Sequence, residues 1–166
     1  MIQLAILGKP QVIVNGTPVH LKAGKAYALL TYLALTEASH SRTFLVNLLW
    51  ANSDTSAARK NLRNHLSIIR KAVGEKALVI DDDFVGISNL VSTDAMQFAE
   101  AVTALLDATS VNPRQLEAAL DGWGGPLLSK TRLSEAPEFE LWLLGERERL
   151  GHLYVRGIHR LAQHHA

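Results

Sequence analysis

Five positive charges fall within thirteen residues at Arg59-Lys60, Arg63 and Arg70-Lys71, with no acid between them. Wound as a helix at about 100° per residue, the segment Ser56 to Val73 splits into two faces. Ala58, Leu62, His65, Leu66, Ile69 and Val73 fall on one. Lys60, Arg63, Asn64, Ser67 and Lys71 fall on the opposite one, with Arg59 and Arg70 at its edges. Cations mixed with short hydrogen-bonding side chains suit a DNA major groove. Arg reads guanine through two parallel hydrogen bonds, Asn reads adenine, and Lys and Ser hold phosphates. A merely solvated helix face usually mixes signs, and this one carries no carboxylate.

Other groups with chemical potential carry less. Gly24-Lys25 is not a phosphate loop, because Val19 and Ala26 stand where Gly and Ser or Thr are needed. His152, His159, His164 and His165 lack a carboxylate at metal-ligand spacing, and they read as a solvated helix face. Asp81-Asp82-Asp83 lacks the alternating ligands of a calcium loop and reads as a polar turn. His65 reads as a packed histidine, and Trp50, Trp123 and Trp142 as core and interdomain anchors. No nucleophile–base constellation emerges, so the expectation is a protein that is not an enzyme and needs no metal or cofactor.

The chain around these residues has 166 positions, is 48% hydrophobic and carries a formal net charge of only +1. It has no cysteine, which excludes disulfides and thiolate metal sites and fits a cytoplasmic setting. The start lacks the basic and apolar runs of a signal peptide. Charge is uneven: residues 1–97 have a net excess of three cations, residues 98–166 of two anions.

The elements follow from periodicity and turn chemistry. Ile2 to Leu7, Gln11 to Val14 and Thr17 to Leu21 read as an antiparallel sheet of three strands, with Asn15-Gly16 as a tight hairpin turn. Helices are expected over Ala23–Ala38, Thr43–Trp50 and Ser56–Val73, the last stopped by Gly74, with Ser39-His40-Ser41 as a loop. Leu78–Ile80 and Phe84–Ile87 read as a two-stranded hairpin with the three aspartates at its tip. Further helices are expected from Thr93-Asp94 to Leu106, from Pro113 to Leu120, and from Pro137 to about Gln163. A boundary near residue 92 separates domains 1–92 and 93–166. A short helix, a turn, the basic helix and a hairpin, in that order, match a winged helix-turn-helix.

At this point the chain resembles the DNA-binding head of SARP-type activators, similar to the OmpR/PhoB winged helix with its extra N-terminal sheet. The runs that carry the resemblance are Leu4 to Gly8, Lys25 to Leu35, Ser41-Arg42, Leu48-Leu49-Trp50 and Ala58 to Arg63. Gly122 to Leu128 and Phe139 to Leu150 resemble the bacterial transcriptional activator domain that follows such heads. The fold implied is α+β: a winged helix-turn-helix with an N-terminal antiparallel sheet, then an all-α tetratricopeptide-like segment, incomplete in 93–166. The resemblance implies that the third helix enters the major groove and that the hairpin is the wing. It also implies tandem binding to promoter direct repeats and contact with RNA polymerase. Ser41, Arg42 and Thr43 are candidate phosphate contacts.

The sequence departs from the pattern twice. Ile68 stands where the wider family often has a basic residue, and the wing tip is acidic where a groove contact favours Arg or Lys. These departures keep a second reading open, a protein-interaction adaptor whose winged helix does not read DNA. Phe139, Trp142, Leu143, Leu150, Leu153, Tyr154, Ile158 and Leu161 form one broad apolar arc of the last helix. The arc is expected to outrun its short neighbour, leaving a face for self-association, unless the helix folds back on the N-terminal half.

Overall fold

A computed structural model describes all of residues 1–166. Strand β1 (Ile2–Ala5) alternates buried Ile2 and Leu4 with more exposed neighbours and pairs antiparallel with β2 (Gln11–Val14). β2 turns back into β3 (Thr17–Val19) through Asn15 and Gly16, at φ 49° and 83°, the two positive angles the dipeptide promised. The sheet has a fourth member. β7 (Val91–Thr93) lies parallel to β1, giving the order β3-β2-β1-β7 and correcting the expectation of three antiparallel strands.

Helix α1 (Gly24–Thr36) is buried along most of its length and ends at Glu37, in the left-handed region at φ 50°. His40–Ser41, expected as loop, is a two-residue strand, β4. Helix α2 (Arg42–Leu49) starts where Ser41 Oγ accepts from the Phe44 amide at 3.0 Å. Helix α3 (Thr55–Val73) is capped by Asp54, which accepts from the Ala57 amide at 2.9 Å, and stops at Gly74 with φ 96°. β5 (Leu78–Ile80) and β6 (Phe84–Ile87) form the expected hairpin. β4 adds to its other side, so this sheet is three-stranded, in the order β4-β6-β5. Three helices follow: α4 (Asp94–Asp107) capped by Thr93, α5 (Pro113–Leu120) capped by Asn112, and α6 (Pro137–His165). The chain is thus a mixed α/β protein of six helices and two small sheets. No helix is long and apolar enough to cross a membrane.

One continuous core runs through both halves. The last helix is covered within the chain. Phe139, Leu143, Leu150 and Leu153 are buried, and α6 packs against α2, α4 and α5. Most of the apolar arc is therefore covered, because α4 shields it alongside α5 and its first turns reach the N-terminal half; Ile158 keeps 42% of its surface exposed. Leu120 of α5 packs directly over Gly157, where even a Cβ would collide with it.

The halves are also joined through backbone groups of β1 and the residues after it. The Asp94 carboxylate accepts from the amides of Ile6 (2.8 Å) and Leu7 (3.2 Å). Leu7 bridges Leu127, Leu128 N–H donates to Ile6 C=O, and Gly8 N–H donates to Pro126 C=O. Arg147 holds that loop from α6, donating Nε to Leu127 C=O and a terminal nitrogen to Leu128 C=O, both at 2.7 Å. Lys25 of α1 adds an ion pair to Glu135 at 3.4 Å while lying over the Trp50 ring.

Burial raises the Asp94 carboxyl above its usual value, against the lowering effect of the amides it accepts from. A raised folded-state pKa means the folded chain binds this proton more tightly than the unfolded one. The group's contribution is greatest below the unfolded value of about 3.9 and declines as pH rises through the folded value. Asp94→Asn keeps an acceptor and loses the buried charge, whereas Asp94→Ala orphans two amides, a cost of about 1–3 kcal/mol. Urea unfolding across pH should show Asn gaining on wild type as pH rises to neutrality, with Ala below both.

Candidate nucleic-acid interface

Helix α3 is oriented by its apolar face. Ala58, Leu62, Leu66, Ile69 and Val73 are buried, which turns the opposite side out. Arg59, Lys60, Arg63, Asn64 and Lys71 are exposed; Ser67 and Arg70 are half-buried. None of these five cations has a carboxylate within 4.0 Å; the chain's ion pairs are Lys25–Glu135 and Arg149–Glu146. Arg70 and Lys71 lie in the last turn, where the helix dipole favours cations. His65 donates Nδ1–H to the Asn61 carbonyl (2.7 Å) and meets the Trp50 ring edge-on, so it is packed as expected. Ile68 is half-buried against the core rather than displayed with the cations.

Between the first turns of α2 and α3 and the β5–β6 hairpin lies an open cleft of about 860 Å³. Ser41, Arg42 and Thr43 line one side; Thr55, Ser56, Arg59 and Arg63 line another; Asp83 and Phe84 close the end. The candidate contacts Ser41, Arg42 and Thr43 are thus brought together with Arg59 and Arg63. Lys60, Asn64, Ser67, Arg70 and Lys71 lie along the helix outside the cleft. Two helix N-termini open onto this space, each with amides lacking intrahelical partners.

Thr55, Ser56 and Phe84 were not singled out in the sequence. Only the approach of α2 makes the hydroxyls of Thr55 and Ser56 part of a wall. Phe84 keeps 45% of its surface exposed beside the tip of the hairpin, and Phe44 keeps 42% at the start of α2.

Arg42 is only partly free. Its amide donates to Asp83 C=O (2.8 Å) and its Nε to Asp82 C=O (3.1 Å), which ties the hairpin tip to α2 and leaves the terminal guanidinium nitrogens for the cleft. Asp81 folds the tip by accepting from the amides of Asp83 and Phe84. The tip's acidity coexists with one backbone carbonyl, that of Asp82, that holds a cation. Behind α2 an aromatic series connects this region to the last helix: Phe44 stacks on His40 (5.2 Å), His40 meets Tyr32 (5.1 Å), and Tyr32 meets Trp142 edge-on (4.7 Å). Trp142 is thus an anchor between the halves, whereas Trp123 stacks on Tyr154 within the C-terminal half. Burial pushes the His40 imidazole below its ordinary value and the Tyr32 hydroxyl above its own.

The fold has a solved counterpart. The structure of Mycobacterium tuberculosis EmbR in complex with a low affinity phosphopeptide matches with a TM-score of 0.71 at 23% sequence identity. The match covers 92% of this chain and 43% of that one, so this chain spans less than half the length of EmbR's. The class defined by fold is therefore that of the matched portion of EmbR, a mixed α/β frame shared across nearly the whole chain. No family model and no curated protein matches the sequence.

Proposed function

We propose that the chain is the DNA-binding module of a SARP-type transcriptional activator, a winged helix-turn-helix joined to the first helices of a tetratricopeptide-like domain, with no catalytic role. The observation that carries this reading is the stripe of five unpaired cations on α3, continuous with a hydroxyl-lined cleft at two helix N-termini. Such a surface meets a sugar-phosphate backbone with donors and positive charge, and it presents Arg63 and Asn64 to base edges. The likeness in fold to EmbR supports the same reading. Promoter direct repeats and RNA polymerase are the partners proposed with it, in the cytoplasm.

Electrophoretic mobility on random-sequence duplex at two salt concentrations tests the proposal. Binding must weaken steeply with salt, because each phosphate contact releases counterions. The adaptor reading keeps the support of an exposed acidic tip and of a half-buried Ile68 that adds no cation to the face. It predicts no retardation of duplex at either salt concentration.

The acidic tip gives a second test. Asp82→Lys should tighten duplex binding at low ionic strength and change little at high salt, because repulsion between carboxylates and phosphates is long-ranged only when unscreened. Asp82 holds Arg42 through its backbone carbonyl, so the substitution leaves that contact in place. Equal affinities at low salt would mean that the tip points away from the duplex.

A further inference from the structure

The end of α6 carries a second cationic surface, remote from α3. From Arg149 to Ala166 the chain has three arginines and four histidines and neither Asp nor Glu. Arg156, His159, Arg160 and Gln163 line an open cleft of about 400 Å³ with Leu106 of α4 and Val155. Arg149 is paired with Glu146, but Arg156 and Arg160 have no carboxylate within 4.0 Å. The Arg160 Nε is buried without any hydrogen-bond partner. An arginine with no acceptor inside the chain has its remaining guanidinium N–H groups to offer to an oxyanion docked in the cleft.

The complementary charge exists on the same chain. Asp82 and Asp83 stand exposed at the hairpin tip, and their carboxylates neither pair with a cation nor accept a hydrogen bond, unlike that of Asp81. One molecule cannot join the two surfaces. The tip is tied to the start of α2 through Arg42, and α6 reaches that neighbourhood near Trp142, by way of Tyr32 and Phe44. From Trp142 to Arg160 the helix runs about 27 Å farther, at 1.5 Å per residue.

We infer that the Arg156–Arg160 cleft is an intermolecular docking site for the Asp82-Asp83 tip of a second copy of this chain. Guanidinium against carboxylate is the strongest pairing either surface offers. A contact between two different patches is heterologous. It leaves one free tip and one free cleft at the ends, so copies add in an open row rather than closing as a symmetric pair. Exposed ion pairs are individually weak, so the association is expected at high protein concentration and low salt, where screening is least. The inference does not depend on DNA binding and is tested without DNA.

The experiment is sedimentation velocity across protein concentration at low and high salt, on wild type and two double variants. Asp82→Arg/Asp83→Arg removes the tip and spares the cleft; Arg156→Glu/Arg160→Glu does the reverse. Wild type should show mass rising with concentration, reversed by salt. Each double variant alone should weaken association by about tenfold or more. An equimolar mixture of the two retains one good tip and one good cleft, and should stop at a dimer. Circular dichroism and thermal melts check that the variants fold, with Arg156→Gln/Arg160→Gln as a milder replacement if the Glu pair does not. Wild type that stays monomeric at low salt overturns the inference. So does association that survives both reversals, which would assign it to another surface, such as exposed Leu141 and Leu144.

Discussion

Arg63→Ala is expected to lower affinity for a selected duplex by about 1–3 kcal/mol while leaving binding to random duplex much less affected. Arg63 is exposed, lines the cleft and has no carboxylate partner, so its truncation removes nothing that holds the chain together. The unfolding midpoint should therefore stay at the wild-type value, which separates a loss of recognition from a loss of fold. Lys71, eight residues further along the helix in its last turn, should behave differently. Lys71→Ala should weaken selected and random duplexes alike and reduce the slope of affinity against salt by roughly one counterion. Mobility shifts on both duplexes at several salt concentrations measure all four quantities. Wild-type affinity in both variants would sink the assignment of α3 to the groove. Equal losses on both duplexes for Arg63→Ala would make that residue a phosphate contact.

Gly8→Ala should be among the most damaging single substitutions, at about 3–5 kcal/mol. Gly8 sits at φ 99°, and a Cβ there would lie 2.6 Å from the Gly124 carbonyl oxygen. Neither backbone has room to give, because Gly8 N–H donates to Pro126 C=O and Ser129 N–H donates to Gly8 C=O. Gly124→Ala meets the same obstacle from the other side, against the Leu7 carbonyl. The control is Gly16→Ala, at φ 83° with nothing within 4 Å of its Cβ, which should cost only the backbone strain, about 1–3 kcal/mol. Urea denaturation of the three variants decides the matter. If Gly8→Ala costs no more than Gly16→Ala, the contact between the residues after β1 and the Gly124 loop is loose.

The elements that could be read in the sequence share one property: their signal is local. Asn15-Gly16 fixes a hairpin by its own dihedrals, Gly74 and Pro113 mark helix ends, and the two faces of α3 follow from spacing alone. What escaped depends on chain segments far apart. β7 is three residues long and pairs with a strand some ninety positions earlier, so no turn marks it. β4 is two residues long and gains strand character only from β6. The grip of Arg147 on the 127–128 carbonyls and of Arg42 on the hairpin tip are side-chain to backbone contacts, which no residue pattern announces. The stripe on α3 was legible; the wall of Thr55 and Ser56 facing Arg42 was not, because it exists only after α2 and α3 meet.

The contact of Trp142 with Tyr32 makes α6 a lever with its fulcrum close to one end. From Trp142 the helix extends 23 residues to His165, an arm of roughly 35 Å at 1.5 Å per residue. Rotation of α6 by about 10° about that point would carry its far end through roughly 6 Å, whereas the indole itself would barely translate. The arm is not free to swing alone: Leu120 against Gly157 and Arg147 on the 127–128 carbonyls make α5 and that loop travel with it.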